Sequence, residues 1–136
     1  MKIAGVLDSV VLIGYYVESD QWNEKAVLLL EAMDRGQKFI ITDYILDETL
    51  TFIRKIAGAE KSNTVLEYLT GHPNVIMAHI NEKLLKAAII YFKRYQRLSF
   101  TDATTVALMK DASIRKIYSF DSDFDGIEGI VRVEKI

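Results

Sequence analysis

Four acidic residues from separated parts of the chain could act together as one chemical site: Asp8, Glu48, Asp102 and Asp121. Carboxylates that lie within a few ångströms of one another repel and raise one another's pKa, so such a cluster requires a cation. Hard oxygen ligands suit Mg²⁺ or Mn²⁺, which bind through a few carboxylates plus the phosphate of a substrate. The chemistry that these four residues would support is metal-assisted hydrolysis of a phosphodiester bond.

Each of the four acids, taken alone, is more simply explained by local structure. Asp8 could form a turn at a strand end and Asp121 could belong to a loop. Glu48 could be a solvated helix residue, and Asp102 could lie at a helix start, where free amides partly offset its charge. Only their convergence would favour a metal site, so the elements that carry them decide the question.

The chain alternates between short apolar runs and segments with helical spacing. Strands are predicted at 2–8, 38–42, 74–80, 116–120 and near 130–136, and helices at 22–36, 43–58, about 60–70, 82–96 and 101–111. Strands separated by helices imply crossover connections and a mainly parallel sheet. The sequence therefore predicts an α/β fold, a three-layer α/β/α sandwich with a central sheet of four to five strands.

This architecture gives the four acids a common location. Ligands of open parallel sheets bind outside the carboxyl ends of the strands, where the strand order reverses. Asp8 and Asp121 each follow a predicted strand, Glu48 lies on the second turn of the helix that leaves the second strand, and Asp102 opens a late helix. We therefore expect the four carboxylates at one edge of the sheet.

Composition limits the classes of protein to consider. The 136 residues, half of them apolar, suit a single domain over 1–136, and the net charge of −2 gives no general positive field for nucleic acid or anionic membranes. The absence of cysteine excludes disulfides and cysteine-bound zinc. No apolar stretch has the length of a signal peptide or a membrane span, so we expect a cytoplasmic protein without membrane contact.

The acidic motifs also carry a resemblance that spans nearly the whole chain. The segments LDSVVLIGYYVESDQWNEKAVLLLEAMDRG, ITDYILDETL, LSFTDATTVALMK and IYSFDSDFDGIEGI together resemble the PIN domain family, most closely its short members typified by VapC toxins. The resemblance implies a ribonuclease that depends on Mg²⁺ or Mn²⁺. It also implies a homodimer and an antitoxin protein as partner.

The resemblance assigns roles to single residues. It implies that Asp8, Glu48, Asp102 and Asp121 form the metal-binding quartet, with one or two ions and with Glu48 positioning or deprotonating the attacking water.

Neighbouring residues of the quartet are given supporting roles by the same resemblance. Ser119 lies where the family commonly has Thr or Ser, and it would orient the acids or the water. Val10 departs from the polar residue common in the first motif, which leaves Ser9 as the supporting hydroxyl there. Asp123 could assist the metal site but is better explained as loop structure, and Asp125, next to Gly126, as a turn residue.

A basic segment, KRYQR at 93–97, is a candidate for binding the substrate. Lys93, Arg94 and Arg97 with Tyr95 combine positive charge with an aromatic ring, as in proteins that bind single-stranded RNA. Cations are also favoured at the end of a helix by its dipole, which explains the segment without any ligand.

We expect a metal-dependent endoribonuclease that cleaves RNA, acting as the toxin of a toxin–antitoxin pair. The alternative is a catalytically idle PIN-like domain that binds RNA or a protein. Aspartyl-phosphate enzymes that begin with Asp-x-Asp are disfavoured, because Val10 replaces the second acid. Response-regulator receivers are disfavoured because the strand at 74–80 ends without a phosphoacceptor aspartate.

Overall fold

A computed structural model of the chain describes residues 2–135. Within them, five strands form one parallel sheet in the order β3-β2-β1-β4-β5. The strands are β1 (Ile3–Leu7), β2 (Lys38–Thr42), β3 (Val75–Ala78), β4 (Lys116–Tyr118) and β5 (Val131–Val133). The helices are α1 (Ser9–Tyr16), α2 (Asn23–Asp34), α3 (Asp43–Ala57), α4 (Ala59–Gly71), α5 (Glu82–Arg94) and α6 (Phe100–Asp111). The predicted α/β sandwich with a central parallel sheet is confirmed.

The central strand β1 is the most tightly enclosed part of the sheet. Val6 and Leu7 are fully buried, as expected for a parallel strand covered on both faces. Gly5 allows β4 to lie close, since a Cβ at this position would stand 2.6 Å from the carbonyl oxygen of Lys116. The sheet therefore brings the ends of β1 and β4 side by side.

Helix α1 is an element that the sequence pattern did not predict. It begins directly after β1, where the Asp8 side chain caps it by accepting a hydrogen bond from the Ser9 amide at 2.9 Å. Its sequence, SVVLIGYY, is almost wholly apolar because the helix packs against both α2 and α3. A helix enclosed in this way has no polar face and hence no amphipathic period to read.

Several boundaries differ from the predicted ones. The strand predicted near 130–136, whose last residue lies outside the described residues, covers Val131–Val133 only. The strands predicted at 74–80 and 116–120 end at Ala78 and Tyr118, and the helix predicted at 82–96 ends at Arg94. No helix among residues 2–135 is long and apolar enough to cross a membrane.

Candidate active site

The strand order reverses between β1 and β4, and the first two candidate residues lie at this point. Leu7 pairs with Tyr118 in the parallel ladder, so Asp8 and Ser119 follow as neighbours. The Asp8 amide donates to the Tyr118 carbonyl at 3.1 Å, and Ser119 Oγ donates to Asp8 Oδ2 at 2.7 Å. The adjacent ends of β1 and β4 thus bring Asp8 into hydrogen-bond contact with Ser119.

Asp8 is a buried carboxylate, with 3% of its surface exposed. Burial, together with repulsion from the nearby carboxylates of Asp102 and Glu48, raises the pKa of Asp8 to about 8. Hydrogen bonds from Ser119 and from the Ser9 amide act in the opposite direction, but they do not outweigh burial. Asp8 is therefore a group that would ionise fully near neutral pH only if a cation lay beside it.

Asp102 is positioned by the start of α6. Ser99 is the N-cap residue, and its Oγ accepts from the Asp102 amide at 3.1 Å while Asp102 Oδ2 accepts from the Ser99 amide at 3.2 Å. This reciprocal pair is a capping box. Burial nevertheless raises the pKa of Asp102 to about 6, with added repulsion from Asp121 and Glu48. The amides at the helix start offset the negative charge only in part, as predicted.

Glu48 reaches the same edge from α3. This helix begins directly at the end of β2, where Thr42 Oγ1 accepts from the Ile45 amide at 3.0 Å. Glu48 is exposed, and its Oε1 accepts a hydrogen bond from Ser9 Oγ. Ser9 therefore contacts two of the four acids, Asp8 through its amide and Glu48 through its hydroxyl.

Asp121 follows β4 in the segment that returns to β5. Its amide donates to Ser119 Oγ at 2.9 Å, and its Oδ1 accepts from the Asp123 amide at 2.9 Å. The Asp121 carboxylate is close enough to raise the pKa of Asp102. Ser119 thus lies between the first and the last acid of the set, since its hydroxyl contacts both residues.

Two of the three aspartates of the DSDFD motif pair with arginine side chains. Asp123 forms an ion pair with Arg97 at 3.0 Å, and Asp125 forms one with Arg132 at 2.7 Å. The hydrogen bond from Arg132 lowers the pKa of Asp125. Asp125 is therefore more than the turn residue that its neighbour Gly126 suggested, because it connects the turn to strand β5.

Electrostatic repulsion links the four acids in pairs. Asp8 interacts with Asp102 and Glu48, and Asp102 interacts with Asp121 and Glu48. Even so, within residues 2–135 no group of three or more acidic or histidine side chains has a geometry that could hold a metal ion directly. The chemistry of the donors fits a divalent cation, because all four are carboxylates and because a cation would relieve the cost of burying and crowding them.

The basic segment lies at the end of α5. Lys93 and Arg94 are exposed, and the Arg94 guanidinium lies 5.9 Å from the ring centre of Tyr91. Arg97 is engaged with Ser122 Oγ and Asp123. The role of these three residues in binding RNA remains a prediction.

Two residues of the site were missed by sequence reasoning. Ser99 orients Asp102, and the spacing Ser-x-x-Asp in SFTD is a signal that identifies such a capping box. Arg132 has no comparable signal, since a charged residue in a short edge strand is ordinary and its partner Asp125 is brought to it only by the fold.

Comparison with known proteins gives a family and a set of similar folds. The model of the PIN domain family matches residues 5–130. Among solved structures, the chain is similar to VapC20 of Mycobacterium tuberculosis, a toxin described as cleaving the sarcin–ricin loop. The TM-score is 0.81, with 21% identity and coverage of 93% of this chain and 98% of the toxin.

Two further structures are similar in fold. VapBC2 of Rickettsia felis, bound to a DNA fragment from its promoter, gives a TM-score of 0.72 at 10% identity and covers 95% of this chain and 96% of the other. A toxin–antitoxin complex from Klebsiella pneumoniae gives 0.68 at 17% identity, with 98% and 100% covered. No curated protein matches significantly.

Proposed function

The chain belongs to the PIN domain family, and from this membership and its four acids we propose that it is a metal-dependent endoribonuclease. The observation that carries the proposal is the junction of distant acids at Ser119, whose hydroxyl donates to the buried Asp8 and accepts from the Asp121 amide. Asp102, also buried, lies close enough to Asp8 to raise its pKa. Strongly perturbed pKa values at the carboxyl edge of a parallel sheet are typical of functional sites.

Asp8, Asp102 and Asp121 are the residues that would hold Mg²⁺ or Mn²⁺, with Glu48 beside them. Such an ion, when bound, polarises a phosphoryl oxygen and lowers the pKa of bound water. The choice between the two metals is left open by carboxylate donors, which suit both.

The protein's own side chains supply orientation and proton transfer. Ser119 and the Ser9 amide fix the two oxygens of Asp8, and Ser99 fixes Asp102. Glu48 is exposed, so it can accept a proton from the water that attacks phosphorus as the sugar oxygen leaves. Ser9, which donates to Glu48, holds that carboxylate toward the buried acids.

We also propose that the protein is the toxin of a toxin–antitoxin pair, cytoplasmic and homodimeric. The Klebsiella pneumoniae structure is a toxin–antitoxin complex, and its fold covers nearly all of this chain. Large apolar side chains on the outer faces of the helices, among them Phe52, Ile56 and Ile90, offer surface for a second copy or an antitoxin.

The test is cleavage of a mixed pool of structured and single-stranded RNA with Mn²⁺, with Mg²⁺ and with EDTA. Asp102→Asn is the matched control, because an amide oxygen can still accept from the Ser99 amide and keep the capping box. We expect metal-dependent cleavage that falls about a hundredfold or more in the variant, since metal catalysis supplies several kcal/mol. Cleavage that persists in EDTA would overturn the proposal.

The second candidate is an idle PIN domain that binds RNA or a protein. It is favoured by one observation, the lack among residues 2–135 of a side-chain group arranged to hold a metal ion. An idle domain would bind RNA equally well with and without Asp102→Asn and would cleave none of it. Metal titration then separates the two candidates, because only the nuclease is expected to bind Mn²⁺ or Mg²⁺.

A further inference from the structure

Arg132, on the edge strand β5, contacts both ends of the segment that carries Asp121. Its Nη1 donates to the carbonyl oxygen of Ser119 at 3.1 Å. Its Nε and Nη2 donate to the two carboxylate oxygens of Asp125 at 2.7 and 3.2 Å. One guanidinium therefore spans residues 119–125, with Asp121 between its two contacts.

The Arg132 side chain is held in one orientation by burial and by its hydrogen bonds. It is only 16% exposed, and Nη1 also donates to Glu134 Oε2 at 2.8 Å. A bidentate pair between arginine and a carboxylate fixes direction as well as distance. By contrast, Arg97 pairs with Asp123 while 61% exposed, and ion pairs that are so exposed to solvent contribute little.

Hydrophobic packing alone does not orient this segment. Phe120 and Phe124 are buried and attach it to the core. Burial of apolar surface is non-directional, so it sets the depth of the segment but not where a carboxylate points. The Ser119 carbonyl is the position where direction matters, because the hydroxyl of the same residue contacts Asp8 and the Asp121 amide.

We infer that Arg132 is a positioning residue that holds Ser119 and Asp121 in place against Asp8. It touches neither substrate nor metal and acts through the backbone of residues 119–125. The inference rests on the proposed function in one respect, namely that Asp121 helps to bind a divalent cation.

The experiment measures Mn²⁺ affinity by electron paramagnetic resonance of the free ion, at a temperature well below unfolding. Arg132→Met should weaken binding about tenfold or more, the usual effect of removing a partner that orients a ligand. Arg132→Lys should recover part of the loss, because lysine keeps a charged donor but not the bidentate geometry. Amide hydrogen exchange over 119–125 should be slowest in the wild type, faster in Arg132→Lys and fastest in Arg132→Met.

Lys25→Met is the matched control within the same network. Lys25 pairs with Glu134 at 3.1 Å, with the two side chains 56% and 39% exposed, and it forms no hydrogen bond or ion pair with residues 119–125. Its Mn²⁺ affinity should equal that of the wild type. If Arg132→Met fails to fold, Asp125→Asn replaces it, since it keeps the side-chain volume and removes the charge from the bidentate pair.

The outcomes separate this inference from the proposed function. Wild-type protein that binds Mn²⁺ while Arg132→Met, or Asp125→Asn in its place, binds equally well would overturn the role of Arg132 and leave the nuclease intact. Wild-type protein that binds no Mn²⁺ even with RNA present would overturn both. A loss of affinity in Lys25→Met as large as in Arg132→Met would also overturn the inference, because it would assign the effect to the network's charge.

Discussion

Asp8 and Asp102 are buried acids that no basic side chain among residues 2–135 compensates. The groups that shift their pKa values are other carboxylates, three serines (Ser9, Ser99 and Ser119) and burial itself. Where arginine is present nearby, it serves the outer aspartates, as Arg97 does for Asp123 and Arg132 for Asp125. The protein thus neutralises the flanks of the site and leaves its centre negative, which is the charge distribution expected for a cation site.

The raised pKa of Asp8 predicts how stability depends on pH in the metal-free protein. A carboxyl whose pKa is higher in the folded than in the unfolded state stabilises the fold fully below about pH 4, and this contribution is lost as pH rises through about 8. The Asp8→Asn variant has no carboxyl group at this position, so it does not lose stability in this way as pH rises. We expect the variant to exceed the wild type by at least about 1 kcal/mol at pH 8.5 and far less at pH 5, measured by urea unfolding with a chelator.

Asp47→Asn, at an exposed position of α3, is the control, because it keeps Asp8. Its stability should therefore follow that of the wild type at both pH values. Adding Mn²⁺ at pH 8.5 should reverse the order, because a ligand stabilises only the folded protein that binds it. Equal stability of Asp8→Asn and wild type at every pH would contradict the prediction.

The location of the four candidate acids in the fold could be predicted from the sequence, while their role in a metal site stays a prediction. The residues that orient them could be predicted only in part. Asp8 and Asp121 follow apolar runs, so strand ends place them without knowledge of the packing. Ser9 and Ser119 were predicted as supporting residues, and each donates a hydroxyl to a site acid. Arg132 could not be predicted, because its contact with Ser119 depends on the parallel pairing of β4 with β5.

At the scale of elements, exposure explains part of what could be predicted, although the largely buried α6 was predicted as well. Helices α3 and α5 have one apolar face and one polar face, and their positions agree with the predicted ranges within a few residues. Helix α1 is almost wholly apolar and packs against other helices. Its sequence therefore lacks the alternation of apolar and polar residues by which an amphipathic helix is predicted. The missed helix matters for the site, since its first residue, Ser9, contacts both Asp8 and Glu48.

The capping box of α6 is predicted to serve both stability and activity. Ser99→Ala removes the cap and should cost about 1 kcal/mol of unfolding free energy. It also loosens the first turn of α6, which positions the Asp102 side chain, so the rate of RNA cleavage should fall by about tenfold. Chemical denaturation and single-turnover cleavage of RNA measure the two effects separately.

Asn81→Ala supplies a matched control on a neighbouring helix. Asn81 caps α5 by accepting from the Leu84 amide at 2.9 Å, the same kind of bond as in Ser99, but no acid of the site adjoins it. We expect a similar loss of stability and unchanged cleavage. Equal loss of activity in both variants would show that the cap acts through stability alone.

At the scale of the whole molecule, the strand order explains why distant acids meet. With β1 central and β4 beside it, the beginning and the last third of the chain end at the same edge of the sheet. The net charge of −2 gives no long-range attraction for RNA. The proposed binding of RNA would therefore depend on local groups, with the proposed metal ion as the principal source of positive charge at the acids.

The outer apolar side chains predict self-association. Phe52 and Ile56 lie one helical turn apart on α3 and are 44% and 49% exposed. Burying such side chains is worth about 1.5–3 kcal/mol each when complete, so the double variant Phe52→Lys with Ile56→Lys should raise the dimer dissociation constant at least about tenfold. Sedimentation equilibrium measures that constant. Because both positions are exposed, the circular dichroism spectrum should not change.

Leu28→Lys tests whether the effect belongs to α3 or to apolar surface in general. Leu28 lies on α2 and is 66% exposed, more than either residue of the α3 pair. If exposure alone drove association, this variant would weaken the dimer most. We expect it to leave the dissociation constant unchanged, since one isolated apolar side chain is ordinary on a protein surface whereas two in adjacent turns form a patch. A wild-type protein that stays monomeric at tens of micromolar would contradict the prediction, and so would a double variant that remains a dimer.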